Sequence, residues 1–217
     1  MQICLPGTRP NLNRWEQRSI DPASAGPPLP RAFFDRHLRI VAVEPPGPPV
    51  PGGPFERATR AVMSYDAFPP HIGEGILRNR PVEIGDTVGM LYNFLPGMKL
   101  FFASRVVEII DLRSAPLWRA GFIYQTIRWH PELGAETFCA EKDTTTGEVR
   151  VYLQAWSRPA WWALPFLPMA RWLQLGAGRA ALDHLERISL TPPAAPLKGG
   201  PSGPTALTDK TTTSSSC

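Results

Sequence analysis

Residues 148–156 read Glu-Val-Arg-Val-Tyr-Leu-Gln-Ala-Trp, alternating between apolar and polar positions. Val149, Val151, Leu153 and Ala155 fall on one side of an extended chain; Arg150, Tyr152, Gln154 and Trp156 fall on the other. A period of two with one apolar side predicts a half-buried antiparallel strand. Moving outward, Asp143 to Gly147 and His130 to Ala135 are short and hold turn formers, so both predict hairpins. Apolar, β-branched runs at Leu100 to Ile110, Arg119 to Trp129 and Glu136 to Lys142 predict the neighbouring strands. Further upstream, Thr87 to Leu91 reads as a short strand and His37 to Glu44 as a first one. Pro54 opens a helix that carries Phe55, Ala58, Val62 and Tyr65 at spacings of three and four. Past Pro159 the period changes. Trp172, Leu175, Leu182 and Leu185 recur at helical spacing, and Gly176, Ala177, Gly178, Ala180 and Ala181 are small enough to let that helix approach a sheet.

Strand, helix, strand meander and long C-terminal helix is not the alternation of a parallel α/β sheet. It predicts an α+β domain in which a curved antiparallel sheet wraps around the C-terminal helix, the helix-grip arrangement. Residues 1–55 hold twelve of the 26 prolines, and the chain ends in a Thr/Ser run. Such segments bury too little apolar surface to offset the entropy of ordering. The expected organisation is therefore a disordered segment over 1–36, a single domain over 37–190 and a disordered tail over 191–217.

Charge and cysteine usage narrow the function classes. Arg9, Arg14, Arg18, Arg31, Arg36 and Arg39 against Glu16, Asp21 and Asp35 place +3 of the net +4 charge in the first forty residues. The remainder is nearly neutral, which excludes a nucleic-acid face. Cys4 and Cys217 fall in the segments expected to be disordered, so no disulfide framework is expected and a reducing, cytoplasmic setting fits. The uncharged stretch Pro159 to Ala170 is too short to span a bilayer.

Motifs of chemistry are sparse. Gly176-Ala177-Gly178-Arg179-Ala180-Ala181 matches a dinucleotide fingerprint by letter but lacks the preceding strand, so no cofactor is expected. His130, Glu132, Glu136 and His184 show none of the usual short metal-ligand spacings, so no metal is expected. His130 reads foremost as a turn residue bonded to backbone. Glu136 alternates with Phe138 and Ala140, which turns a carboxylate towards the apolar side; it then either pairs with an arginine such as Arg128 or Arg158 or has a raised pKa. Ion pairing is the first expectation. Arg158 offers a planar fork for a carboxylate or phosphate, or a bridge from sheet to helix. Trp156, Trp161, Trp162, Phe166 and Trp172 crowd the junction of last strand and last helix. They read as a core cap, the mouth of an apolar cavity, or a patch for a membrane surface.

Gly121-Phe122-Ile123-Tyr124-Gln125-Thr126-Ile127, His130-Pro131, Gly134-Ala135-Glu136-Thr137-Phe138 and Ser157-Arg158-Pro159 resemble, in that order, the central motif of the uncharacterised UPF-0548 family. Gly53-Pro54-Phe55-Glu56-Arg57-Ala58 resembles its opening helix. The chain departs from the family pattern at Gln125, where glycine is usual, and at Ala135, where a second acid is usual. The resemblance implies a helix-grip fold of the START/Bet v 1-like kind and brings no catalytic residues.

The leading functional reading is a binding domain for an apolar or amphipathic small molecule between sheet and helix. Tyr124, Glu136, Arg158, Trp156 and His130 are its candidate contacts. No nucleophile constellation is present, so the reading leans away from an enzyme. The first rival is acid–base chemistry in the same cavity with Glu136 or His130 moving a proton and Tyr124 donating. The second is a membrane-surface or protein-interaction module using Trp161, Trp162, Phe166 and Trp172.

Overall fold

The computed structural model describes residues 1–25 and 32–192. Among them lie β1 (Gln2–Cys4), α1 (Leu12–Glu16), β2 (Phe33–Val43), α2 (Pro54–Met63), β3 (Gly73–Ile76), β4 (Thr87–Leu95), β5 (Met98–Ser114), β6 (Leu117–Thr126), β7 (Glu132–Asp143), β8 (Glu148–Pro159) and α3 (Leu167–Leu190). A 3-10 turn over Trp161–Phe166 joins β8 to α3.

Strands β3 to β8 form an antiparallel meander, and β2 closes the far edge beside β8. The resulting order is β2-β8-β7-β6-β5-β4-β3, with β1 pairing the start of β5. Register shifts at Ile40/Ala42, Asn93/Leu95 and Val106/Glu108 insert extra residues. Such bulges bend strands and sharpen their twist, which helps the sheet to curl. The product is a curled half-barrel with a long C-terminal helix, the α+β helix-grip fold that the strand and helix periods predict.

The alternation that opened the reading holds. Val149, Val151 and Leu153 are buried, and so are Phe122 and Phe138 on the neighbouring strands. Helix α2 lies over β6 and β7 with Phe55, Ala58, Ala61 and Val62 inward, its apolar stripe at the predicted spacing. Helix α3 runs along β2 and against α2, burying Gly178, Ala181, Leu182 and Leu185. A Cβ on Gly178 would meet the His37 ring at 2.6 Å, so a residue without a side chain is what lets α3 sit this close to β2. Gly176 to Ala181 lies inside one continuous helix with no strand before it, as the rejection of the dinucleotide motif requires.

The expectation for the N-terminal segment needs correction. The N-terminal segment over 1–36 is not structureless: β1 pairs β5, and Trp15 on α1 is buried edge-on against Phe101 at 5.2 Å. Cys4, Trp15, Leu91, Phe101, Ala103 and Ile127 form a second apolar cluster. Composition missed it because isolated anchors, rather than a periodic stripe, tie the segment down. Strand β2 also begins at Phe33, paired with Ser157, so the expected boundary at residue 37 falls within a strand.

The proline run after Glu44 is tied to a buried lysine of β7. The Lys142 ammonium, fully buried, donates to the Glu44 carboxylate at 2.7 Å and to the carbonyls of Pro45 and Pro48 at 3.0 Å. Glu44 also accepts the backbone N–H of Phe55 at 2.8 Å, capping the first turn of α2, and that of Val50 at 3.0 Å. Burial pushes the Glu44 carboxyl up, but these hydrogen bonds outweigh it and leave the group below its ordinary pKa. The expected tail lies outside the described residues from position 193 onward.

Candidate functional site

Because β6, β7 and β8 alternate, every second side chain near their ends faces the concave side of the sheet. There the sheet, α3 and the turn before it enclose a cavity of about 410 Å³. Its walls are mostly apolar: Leu153 and Ala155 from β8, Met90 from β4, Leu100 and Phe102 from β5, Leu173 and Ala177 from α3.

Polar groups gather on one side. The Tyr124 hydroxyl donates to the Glu136 carboxylate at 2.5 Å, because Tyr124 and Glu136 are direct cross-strand partners. Glu132, four residues before Glu136 and on the same face, accepts from the Gln174 amide of α3 at 3.1 Å. Arg171 clamps Asp35 of β2 bidentately at 2.5 and 2.8 Å and also donates to Gln174 at 2.7 Å. His130 is only 7% exposed; its Nδ1 meets the Glu132 backbone N–H at 3.0 Å, the backbone role expected of it.

Electrostatics follow from the apolar surroundings. Burial pushes the Glu136 carboxyl up to about 7; the Tyr124 hydrogen bond opposes this, while the Glu132 and Asp35 charges add to it. Glu132 is likewise pushed up to about 7 by burial, against the pull of the Ser157 hydroxyl and the Arg171 guanidinium. The accessible surface that both carboxyls retain opens on the cavity, so it gives them little of the stabilisation of bulk water. Burial holds His130 down to about 3, so its ring is neutral. Asp35 stays below the usual carboxylate range because Arg171 bonds to it.

The structure therefore brings Tyr124, Glu136 and His130 to one cavity wall. It does not bring Trp156 and Arg158 there. They alternate with Ala155, Ser157 and Pro159, which line the cavity, and so project from the opposite face of β8. The expected ion pair at Glu136 is also corrected: its partner is a tyrosine, Arg158 lies behind the sheet, and Arg128 is solvent-exposed. Of the aromatic group, Trp162 and Phe166 line the cavity, while Trp161 (82% exposed) and Trp172 (74%) stand outside it.

Asp35, Tyr65, Glu132, Arg171 and Gln174 complete the wall and were not singled out as contacts from the sequence. Glu132 had a usable signal, since it sits an even number of positions from Glu136. The Asp35–Arg171 clamp had none, because its halves meet only when β2 reaches α3. Among the described residues no grouping of three or more His, Cys, Asp or Glu side chains has the geometry to hold a metal ion.

The model of a domain of unknown function, DUF1990, matches residues 21–184. This chain belongs to the DUF1990 family. The resemblance drawn from the Gly121–Ile127 and His130–Phe138 motifs is thereby borne out. A comparison with curated proteins finds no match in sequence. Among solved structures, this DUF1990 domain is similar to the di-domain ARO/CYC StfQ from the steffimycin biosynthetic pathway, at 13% identity and a TM-score of 0.48. That match covers 73% of this chain and 50% of StfQ, so the chain spans about half the length of that relative. It is also similar to major latex-like protein 151 from Panax ginseng (11% identity, TM-score 0.41, 73% of this chain and 99% of that one). A third similar structure is norcoclaurine synthase from Thalictrum flavum, in complex with dopamine and hydroxybenzaldehyde (11% identity, TM-score 0.42, 73% and 87%).

Proposed function

We propose that this DUF1990 domain binds an apolar or amphipathic small molecule in the cavity between the sheet and α3. The observation that carries the reading is the cavity itself, about 410 Å³ and walled mainly by apolar side chains, with polar groups gathered on one side. Small-molecule sites commonly have that composition, burying most of the ligand and orienting it through a few polar contacts. Native mass spectrometry of the purified protein, followed by extraction of whatever co-purifies, tests it. A stoichiometric apolar adduct is the expected result. A homogeneous, empty protein that also fails to take up an apolar fluorescent dye would overturn the reading.

The exposed rim supports a second, compatible reading: contact with a membrane surface. Trp161, Leu164, Phe166, Met169 and Trp172 are all exposed around the turn and first coils of α3, beside residues that line the cavity. Aromatic side chains of this kind partition into the interfacial layer of bilayers. Flotation with neutral phosphatidylcholine vesicles should carry the wild type upward and leave a Trp161→Ala/Trp172→Ala variant behind. Equal behaviour of the two would remove the membrane reading and leave the cavity reading untouched.

A further inference from the structure

We propose that the cavity selects amphipathic amines, holding the apolar body between sheet and helix and the ammonium at the Glu136 carboxyl beside the rings of Tyr65 and Tyr124. The inference rests on the cavity-binding reading above and names its ligand class.

The first ground is the charge inventory of the wall. Among the described residues Arg171 is the only lysine or arginine lining the cavity, and Asp35 and Gln174 already occupy its guanidinium. An anionic head group would find no free lysine or arginine and would meet two further carboxyls. Glu132 and Glu136 form no ion pair within the described residues, although each carries an oxygen bonded to a neutral donor. A carboxylate in apolar surroundings without a counter-charge is costly. A cation arriving there supplies the missing partner.

The second ground is the aromatic surround. Tyr65 packs edge-on against Tyr124 with ring centroids 6.3 Å apart and against Phe68 at the same distance, and all three rings line the cavity. Ring faces carry negative charge density and attract ammonium groups, most strongly where water is excluded. His130, also in the lining, is nine-tenths buried and neutral. A wall of carboxyls, aromatic rings and a neutral imidazole suits a cation and disfavours an anion.

Binding should then depend on pH. Glu136 faces Tyr124 on β6, Tyr65 after α2, Glu132 on its own strand, and Asp35 and His37 on β2. Arg171 on α3 is neutralised by Asp35, and the Met1 amino group is held down to about 6 by burial and by Arg18. With the Glu136 carboxyl raised to about 7, an ammonium must expel a proton below that pH and need not above it. Amine affinity should therefore rise through about pH 7 and hold until the amine itself deprotonates near 10.

Isothermal titration with octylamine, octanol and octanoate, at about pH 8 and again at about pH 6, tests this. Octylamine should bind about tenfold or more tighter than octanoate at the higher pH. At the lower pH its binding should release a proton, read from buffers of different ionisation enthalpy, whereas octanol binding should not. Glu136→Gln should lose about tenfold in octylamine affinity and much less in octanol affinity, with a circular dichroism spectrum matching the wild type's to report that the variant is folded. Octanol or octanoate binding as tightly as octylamine, or an octylamine affinity indifferent to Glu136→Gln, would overturn the amine assignment and leave the cavity reading standing. Failure of all three probes to bind the wild type would bring down the cavity reading and the amine assignment with it.

Discussion

Glu136 and Lys142 sit on the same face of β7, and the difference between them is the partner. Lys142 meets a carboxylate and two carbonyls, so its charge is satisfied in full burial. Glu136 meets one neutral hydroxyl. Its raised pKa makes a stability prediction with a definite sign. The folded state holds the proton up to about 7, whereas the ordinary value is 4.5. The stabilising effect is complete below the ordinary value and is lost as pH rises through about 7. Glu136→Gln should therefore match the wild type in acid and exceed it above neutrality, by on the order of 2 kcal/mol. Urea unfolding at a series of pH values measures this; parallel curves for the two proteins across that window would show that Glu136 ionises freely. The inward direction of Glu136 was legible from its alternation with Phe138 and Ala140. Its lack of an ion pair was not, because only the register of β8 shows that Arg158 points the other way.

The contact between α3 and β2 depends on one missing side chain. Gly178 faces His37, and the small residues around it were legible in sequence as the place where a helix approaches a sheet. Gly178→Val should force helix and strand apart or drive the His37 ring into the cavity that both residues line, costing about 1–3 kcal/mol. Thermal unfolding reads the loss, and an unchanged melting temperature would mean that α3 shifts without strain. Long periodic elements such as β8, α2 and α3 were readable because a stripe repeats over many residues. Elements β1 and α1 were not, since three residues and five residues are too short to show a period. Their order comes from partners elsewhere in the chain: Phe101 for Trp15, and Arg78 for Glu16.

At the scale of the whole molecule, the class of fold could be read from element order, and the cavity from the way a curled sheet and a helix cannot fill the space between them with backbone. The polar wall could be read only in part, because it is assembled from β2, β6, β7 and α3, which approach one another only in the finished structure. The pairing of β2 with β8 has a consequence for how the molecule is made. Strand β2 is made before the whole β3 to β8 meander, yet its neighbour among the described strands, from Phe33 against Ser157 to Val43 against Glu148, is the last strand of that meander. Contacts between such distant positions are slow to form, since the intervening loop must be closed before they stabilise anything. On the ribosome, Phe34, Leu38 and Ile40 would wait on an unpaired edge until nearly the whole domain had emerged. Chains interrupted before residue 148 would keep that edge open for good, and are the forms of this protein that chaperones would have to restrain from aggregating.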